Sequence, residues 1–210
     1  MSVNKGQQIT KKSFSIIKKR LGNFSATDEI MEIVIRIAHT TGDVDFARQH
    51  IIPEAALKAG IIAAGKGCPV ITDVGMVETG IRKTWAEKLD CRVYCFLNDP
   101  LVIEESNSTG ETRSALGMQK AGELLNGAIV AIGNAPTALF KLLNLVQKKN
   151  IEPALIIGVP VGFVGALESK QALYKSGYPG ITNLSERGGS TIAAAIVNGI
   201  FHLALQQRQE

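Results

Sequence analysis

The chain is expected to form a three-layer α/β domain: a mostly parallel sheet with helices on both faces, Rossmann-like, in a single unit over residues 1–210. Three observations predict this. Short, almost uninterrupted apolar runs alternate with longer helical stretches, the signature of strands buried on both faces. With 210 residues, 45% of them hydrophobic, the chain can fill one sizeable core. No shift in composition marks a second domain, and no internal repeat is visible.

The elements follow in order. Residues 1–12 form a basic lead-in, expected to be flexible. Residues 26–39 read as a helix, because Ile30, Ile33, Val34, Ile37 and Ala38 keep the i, i+3, i+4, i+7, i+8 spacing. Ser25 with Asp28 resembles a capping box at its start, and Gly42 suits its end. Pro53 opens a second helix that runs to about Gly65. Strand-type runs follow at "PVITDV" (69–74), "CRVYCFL" (91–97), "AIVAI" (128–132), "ALIIG" (154–158) and "ITNL" (181–184). Helical stretches at 112–126, 136–149, 167–176 and 189–207 lie between or after them.

Composition narrows the function classes. Aromatic residues are 5% of the chain, too few for the base-stacking surfaces of single-strand binders. The net charge of +4 comes from one end: residues 1–20 hold six Lys/Arg and no acid, while the remainder holds 17 basic and 19 acidic groups. No long basic stripe follows a phosphate backbone, so no nucleic-acid partner is expected. The basic end itself reads as a solvated helix face. The apolar run "ALIIGVPVGFVGAL" (154–167) is only fourteen residues, with three glycines and a proline, so no membrane span is expected. Cys68, Cys91 and Cys95 form no metal-binding spacing. With no secretory signature, they point to a reduced, cytoplasmic setting and to packing.

The last three strands run into "GNAPT" (133–137), "GVPVGFVGALESK" (158–170) and "ERGGST" (186–191), each followed by a helix. In a parallel sheet such loops gather at the carboxyl edge. Their helix N-termini should present free N–H groups to an anion or several anions. Neither G-x-G-x-x-G nor a P-loop is present, so the usual signatures for a dinucleotide or nucleoside triphosphate are missing.

The strings "RIAHTTGD", "ITDVGMVETGI", "TRSA", "AIGNAPTALF", "IIGVPVGFVGALESK" and "RGGST" before "AAAIVN" closely resemble those of the precorrin-8X (cobalt-precorrin-8) methylmutase family. The match runs in order from about Ser13 to Asn198. The resemblance implies an isomerase of corrin-ring synthesis on the route to cobalamin. It would move a methyl group from carbon 11 to carbon 12 of the tetrapyrrole, giving hydrogenobyrinate or cobyrinate. It also implies a homodimer that needs neither metal nor redox or nucleotide cofactor. By the same resemblance, His39 of the R-x-x-H element is the proton donor and acceptor. Ser13, in "SFSII", and Arg36 hold substrate, and Arg113 belongs to the "TRSA" element.

The chemistry of such a substrate matches what the residues offer. A flat ring with acetate and propionate arms needs an apolar slot and a rim of anion contacts. Met76 and Val77 are candidates for the ring faces. Thr40 stands beside His39, and Arg36, Arg113, Lys170 and the helix starts at Gly133, Asn134, Gly189 and Ser190 are candidates for the arms. Histidine, with an ordinary pKa of about 6.5, can give and retrieve a proton near neutrality. Without the resemblance, His39 reads as a helix C-cap, and the alternative for Arg36 is a mere helix–helix salt bridge. His50 and His202 lie in no motif, and His202 is expected to be structural. Two other readings remain: a Rossmann-like nucleotide-dependent oxidoreductase, which lacks its glycine fingerprint, and a non-catalytic tetrapyrrole carrier, which would need no proton donor.

Overall fold

In the computed structural model, which describes residues 4–149 and 151–208, the apolar runs pair as expected. The strands are β1 (His50–Ile51), β2 (Val70–Thr72), β3 (Val93–Cys95), β4 (Ile129–Ile132), β5 (Leu155–Gly158) and β6 (Gly180–Asn183). They form one sheet in the order β1-β6-β5-β4-β2-β3. All pairs are parallel except β1 with β6, where His50 faces Asn183. Successive side chains on a strand point to opposite faces. Ile129, Ala131, Leu155 and Ile157 therefore enter one core, and Val130, Ile132 and Ile156 the other.

The first core is covered by α1 (Lys5–Leu21), α2 (Asp28–Thr41), α3 (Val44–Arg48), α4 (Glu54–Gly65), α5 (Gly75–Gly80), α6 (Lys83–Leu89) and α11 (Ser190–Gln207). The second is covered by α8 (Arg113–Ala121), α9 (Pro136–Lys149) and α10 (Ala166–Ser176), with α7 (Pro100–Thr109) packed on α8. Helix α8 stops short of the expected 112–126: Gly122, at φ 51°, turns the chain into a 3-10 turn, Gly122–Leu125.

Local structure sharpens the expectation at the first two helices. From residue 5 onward the basic lead-in is helical, part of α1; residues 1–3 lie outside the described part. Asn4 caps α1 by accepting a bond from the Gly6 amide at 2.9 Å. Ile17 and Leu21 anchor it in the core, each burial contributing about 1.5–3 kcal/mol. Arg48 adds donors to the Arg20 and Leu21 carbonyls at its C-terminus. The cap of α2 is Thr27, whose hydroxyl accepts from the Ile30 amide, and not Ser25. At the other end Gly42, at φ 70°, closes α2 as expected. The helices α3, α5, α6 and α7 and the short strand β1 are not expected from the sequence: α3, α5, α6 and β1 are too short to show a period, and α7 buries only Val102.

Helix α11 is the spine of the first layer and packs against α2, α4, α5 and α6. Gly199 makes the approach to α2 possible: a Cβ there would come within 2.5 Å of Ile33 Cδ1. Asn198 pins the α5–α6 corner, accepting from the Arg82 amide at 2.8 Å and donating to the Gly80 carbonyl at 2.9 Å.

His50 makes this fold sensitive to acid. It is buried, Nδ1 donates to the Phe46 carbonyl at 3.2 Å, and its ring meets Phe46 edge-on. Burial pushes its pKa down to about 4, only partly offset by the Phe46 and Ala47 hydrogen bonds, and nearby Lys170 pushes the same way. An imidazole kept neutral in the folded state but ordinary in the unfolded one stabilises fully above about pH 6.5. That contribution is lost as pH falls toward 4, and is worth at most about 3 kcal/mol. Thermal melts between pH 7 and 4.5 should show Tm falling, with a shallower slope in His50→Asn. Equal slopes would remove His50 as the source.

Candidate active site

Helix α1 lies against α2 so that Ser13 and His39 meet. Ser13 Oγ is 2.9 Å from His39 Nδ1. The next residue, Phe14, packs edge-on against the same imidazole, with ring centroids 5.3 Å apart. Two consecutive residues of one helix thus fix the ring of an otherwise exposed histidine. The end of α2 is completed by others: the Gly42 amide donates to the Ala38 carbonyl, and Thr41 Oγ1 donates to the Ile37 carbonyl at 2.8 Å. His39 is therefore not spent on a cap. Its Nε2 makes no hydrogen bond among the described residues.

Arg36 sits one turn earlier. Its guanidinium lies 5.7 Å from the Phe14 ring centroid and 5.5 Å from that of Trp85. Glu32 holds it through Nε at 2.7 Å and Nη2 at 2.6 Å. His202 stacks on Trp85 and lies 3.7 Å from Glu32, as a structural partner would. Burial and then Arg36 push the His202 pKa down. Trp85 carries no sequence signal for this cluster, whereas Glu32 stands four residues before Arg36, at the spacing of a helix pair.

The three loops expected at one edge do meet there, but they close on each other. The Gly189 amide donates to the Val159 carbonyl at 2.9 Å and the Gly162 amide to the Glu186 carbonyl at 3.0 Å. Gly133 is in contact with the start of α11, where a Cβ would lie 2.6 Å from Ser190 Cα. The anion served by the first loop is internal. Asp73, just past β2, accepts from the Gly133 amide at 3.1 Å, from Asn134 at 2.8 Å and from Ala135 at 2.7 Å. Burial pushes its carboxyl pKa up, and the three amides work against that shift. An acid at the carboxyl end of a buried strand, in "ITDVG", was the available signal for it.

The remaining predicted residues are placed as follows. Thr40 is exposed beside His39, and Met76 is exposed at the start of α5. Val77 is not on a ring-facing surface; it is fully buried in the first core, because α5 turns that side inward. Lys170 is not on a rim either. It is fully buried, and its ammonium donates to the Arg187 carbonyl at 2.8 Å. Desolvation pushes its pKa down to about 8. The amides of Gly133, Asn134 and Gly189 are taken by protein acceptors, and Ser190 is buried at the first turn of α11. Arg113 is exposed at the start of α8, 3.5 Å from Asn98. It belongs to the opposite helical layer from His39.

The fold and this cluster define a three-layer α/β protein that presents a hydroxyl-held imidazole with one free nitrogen, beside an arginine and apolar side chains. Comparison with known proteins gives the particular family. The profile of the precorrin-8X methylmutase family matches residues 8–203. The chain is 42% identical over 209 residues to the cobalt-precorrin-8 methylmutase of Leptospira interrogans, covering 96% of this chain and 95% of the relative. It is 36% identical to the precorrin-8X methylmutase of Pseudomonas aeruginosa, covering 94% and 96%. The crystal structure of precorrin-8x methyl mutase from Thermus thermophilus superimposes with a TM-score of 0.87 at 30% identity, covering 95% and 98%. This chain belongs to the precorrin-8X methylmutase family, whose name denotes an isomerase that moves a methyl group within one molecule.

The Asp73 cradle carries a prediction of its own. Removing the carboxylate strands the buried Gly133 amide, at about 1–3 kcal/mol, and leaves the part-buried Asn134 and Ala135 amides to partial rescue by water. Asp73→Ala should lower unfolding free energy by about 3 kcal/mol in urea titrations and speed amide exchange at Asn134 and Ala135. A loss below about 1 kcal/mol would show that the loop holds itself.

Proposed function

We propose that this protein moves the carbon-11 methyl group of a precorrin-8X-type tetrapyrrole to carbon 12, with His39 giving a proton to the macrocycle and taking it back. The observation that carries this is the Ser13–His39 pair. A hydroxyl can donate or accept. When the imidazole is charged, Nδ1–H donates to Ser13 and the transferable proton sits on Nε2, the free nitrogen. Once that proton is on the macrocycle, the neutral ring keeps Nδ1–H on Ser13 and leaves the Nε2 lone pair open to take the proton back. The same contact therefore serves both protonation states, as a group that cycles between them requires. A proton placed on a ring nitrogen draws electron density from the conjugated system and eases migration of the methyl group. No atoms are gained or lost overall.

Arg36 is proposed to offer its remaining guanidinium donors to a substrate carboxylate, with Glu32, Phe14 and Trp85 holding it in place. Arg113 and Met76 are proposed to reach the macrocycle from outside the His39 cluster. The 42% identity to two cobalt-precorrin-8 methylmutases, from Leptospira interrogans and Priestia megaterium, favours the cobalt-bearing substrate. Among the described residues no helix is long and apolar enough to cross a membrane. A cytoplasmic setting is part of the proposal, as is assembly into a homodimer. The cleft at Ser13 and His39 holds about 340 Å³, near the lower end of pockets that enclose drug-sized molecules, of about 300–1,000 Å³. A carboxylated macrocycle is larger. Apolar side chains that could cover the rest are exposed in the β5–α10 loop, with Phe163 at 94% and Val164 at 89%.

Two outcomes are expected. His39→Ala and His39→Asn should each lose about 10²–10⁴-fold in turnover of cobalt-precorrin-8, followed by absorbance, while still binding the corrinoid product. Ser13→Ala should lose less, with partial recovery in Ser13→Thr. Near-normal turnover in His39→Asn would end the catalytic assignment. Sedimentation at micromolar concentration should give a dimer, shifted toward monomer in Phe163→Glu; a monomeric wild-type protein would end that part of the reading.

A further inference from the structure

The basic first helix is not explained by the reaction as described so far. One face of α1 carries Ile9, Ser13, Ile16 and Arg20, spaced i, i+4, i+7, i+11, with Lys12 beside Ser13. This face forms one wall of the Ser13–His39 cleft, and Ala38 and Val44 contribute to the other. Ile9 and Ile16 remain 61% and 44% exposed, unusual for side chains with an apolar cleft in front of them unless something covers it. Lys12 and Arg20 line the same cleft, and neither has an ion-pair partner among the described residues. They are eight residues apart, about 12 Å along the helix axis. The cleft thus has an apolar floor, the imidazole between its walls, and unpaired cations spaced along one rim. A polyphosphate or nucleic acid would find too few charges and the wrong floor. A flat apolar molecule with separated carboxylate arms fits both.

We propose that Lys12 and Arg20 are substrate-reading residues that bind two separate carboxylate arms of the macrocycle and so set its position over His39. The inference rests on the methylmutase reading and extends it to residues outside the shared strings. The lysine is a point charge that can follow a mobile arm, while the arginine can take a carboxylate through two parallel N–H bonds. Both act in binding, so they should affect affinity and KM more than the chemical step.

The test uses the full-length protein and two probes: cobyrinate, with free carboxylates, and a corrinoid whose arms are converted to amides. Lys12→Gln and Arg20→Gln should each weaken cobyrinate binding about tenfold in spectral titrations and raise KM for cobalt-precorrin-8 by a similar factor, with kcat little changed. The salt dependence of cobyrinate binding should become shallower in both variants. Lys11→Gln removes the same charge from a neighbouring position outside the cleft and should leave affinity unchanged. The amidated probe should bind the wild type and both variants alike. Wild-type affinity for cobyrinate in the double variant, or an equal loss in Lys11→Gln, would overturn the proposal. A wild-type protein that neither binds cobyrinate nor turns over substrate would overturn the functional reading as well, and the two failures are distinct.

Discussion

The buried Asp73 carboxylate is the constraint on which the carboxyl edge of the sheet depends. Placing a charge under a loop costs several kcal/mol in lost hydration. Three amide donors within 3.1 Å offset it, and they come from consecutive residues of the β4–α9 loop. That fixes Gly133, which fixes how closely the start of α11 can approach. The position of α11 sets α2, because Gly199 lets Ile33 and Arg36 lie directly on it. His39 is one turn beyond Arg36. A carboxylate far from the imidazole in sequence thus helps decide where the imidazole stands.

The imidazole itself is held lightly. A hydroxyl and a ring edge orient it, with no carboxylate on Nδ1 among the described residues. A carboxylate partner would favour the charged ring and bias it toward keeping its proton. The hydroxyl orients without that bias, which suits the proton-cycling role proposed for His39. The strong pairing in the neighbourhood is directed to Arg36 instead, through Glu32 and two aromatic faces. In the proposed reaction, charge and proton would thus be handled by separate residues one helical turn apart.

The two helical layers divide the other candidates. Ser13, Arg36, His39 and the α1 rim belong to the first layer, and Arg113 to the second. The exposed Phe163 and Val164 stand on the loop leading from β5 to α10. Apolar side chains held in water on a loop closed by hydrogen bonds to residues 186 and 189 are a standing cost, and covering them would recover it.

The sequence by itself determined the layer architecture, the principal strands and the long helices, because strands buried on both faces must be continuously apolar and helices on a core must keep a 3.6-residue period. It also determined the family, since strings such as "GNAPTALF" are long and specific, and its motifs point to His39, Arg36 and Ser13 as the proposed site. Tertiary structure alone decided which expected contacts are free. Gly133 and Asn134 look open to an anion until Asp73, sixty residues away, takes their amides. Lys170 looks like a rim residue and Val77 like a ring-facing one until the packing of α10 and α5 encloses them. A period of 3.6 tells which side of a helix is apolar, but not what stands opposite a polar group. That depends on close approaches such as those at Gly133 and Gly199, which join residues far apart in the chain and leave no local pattern.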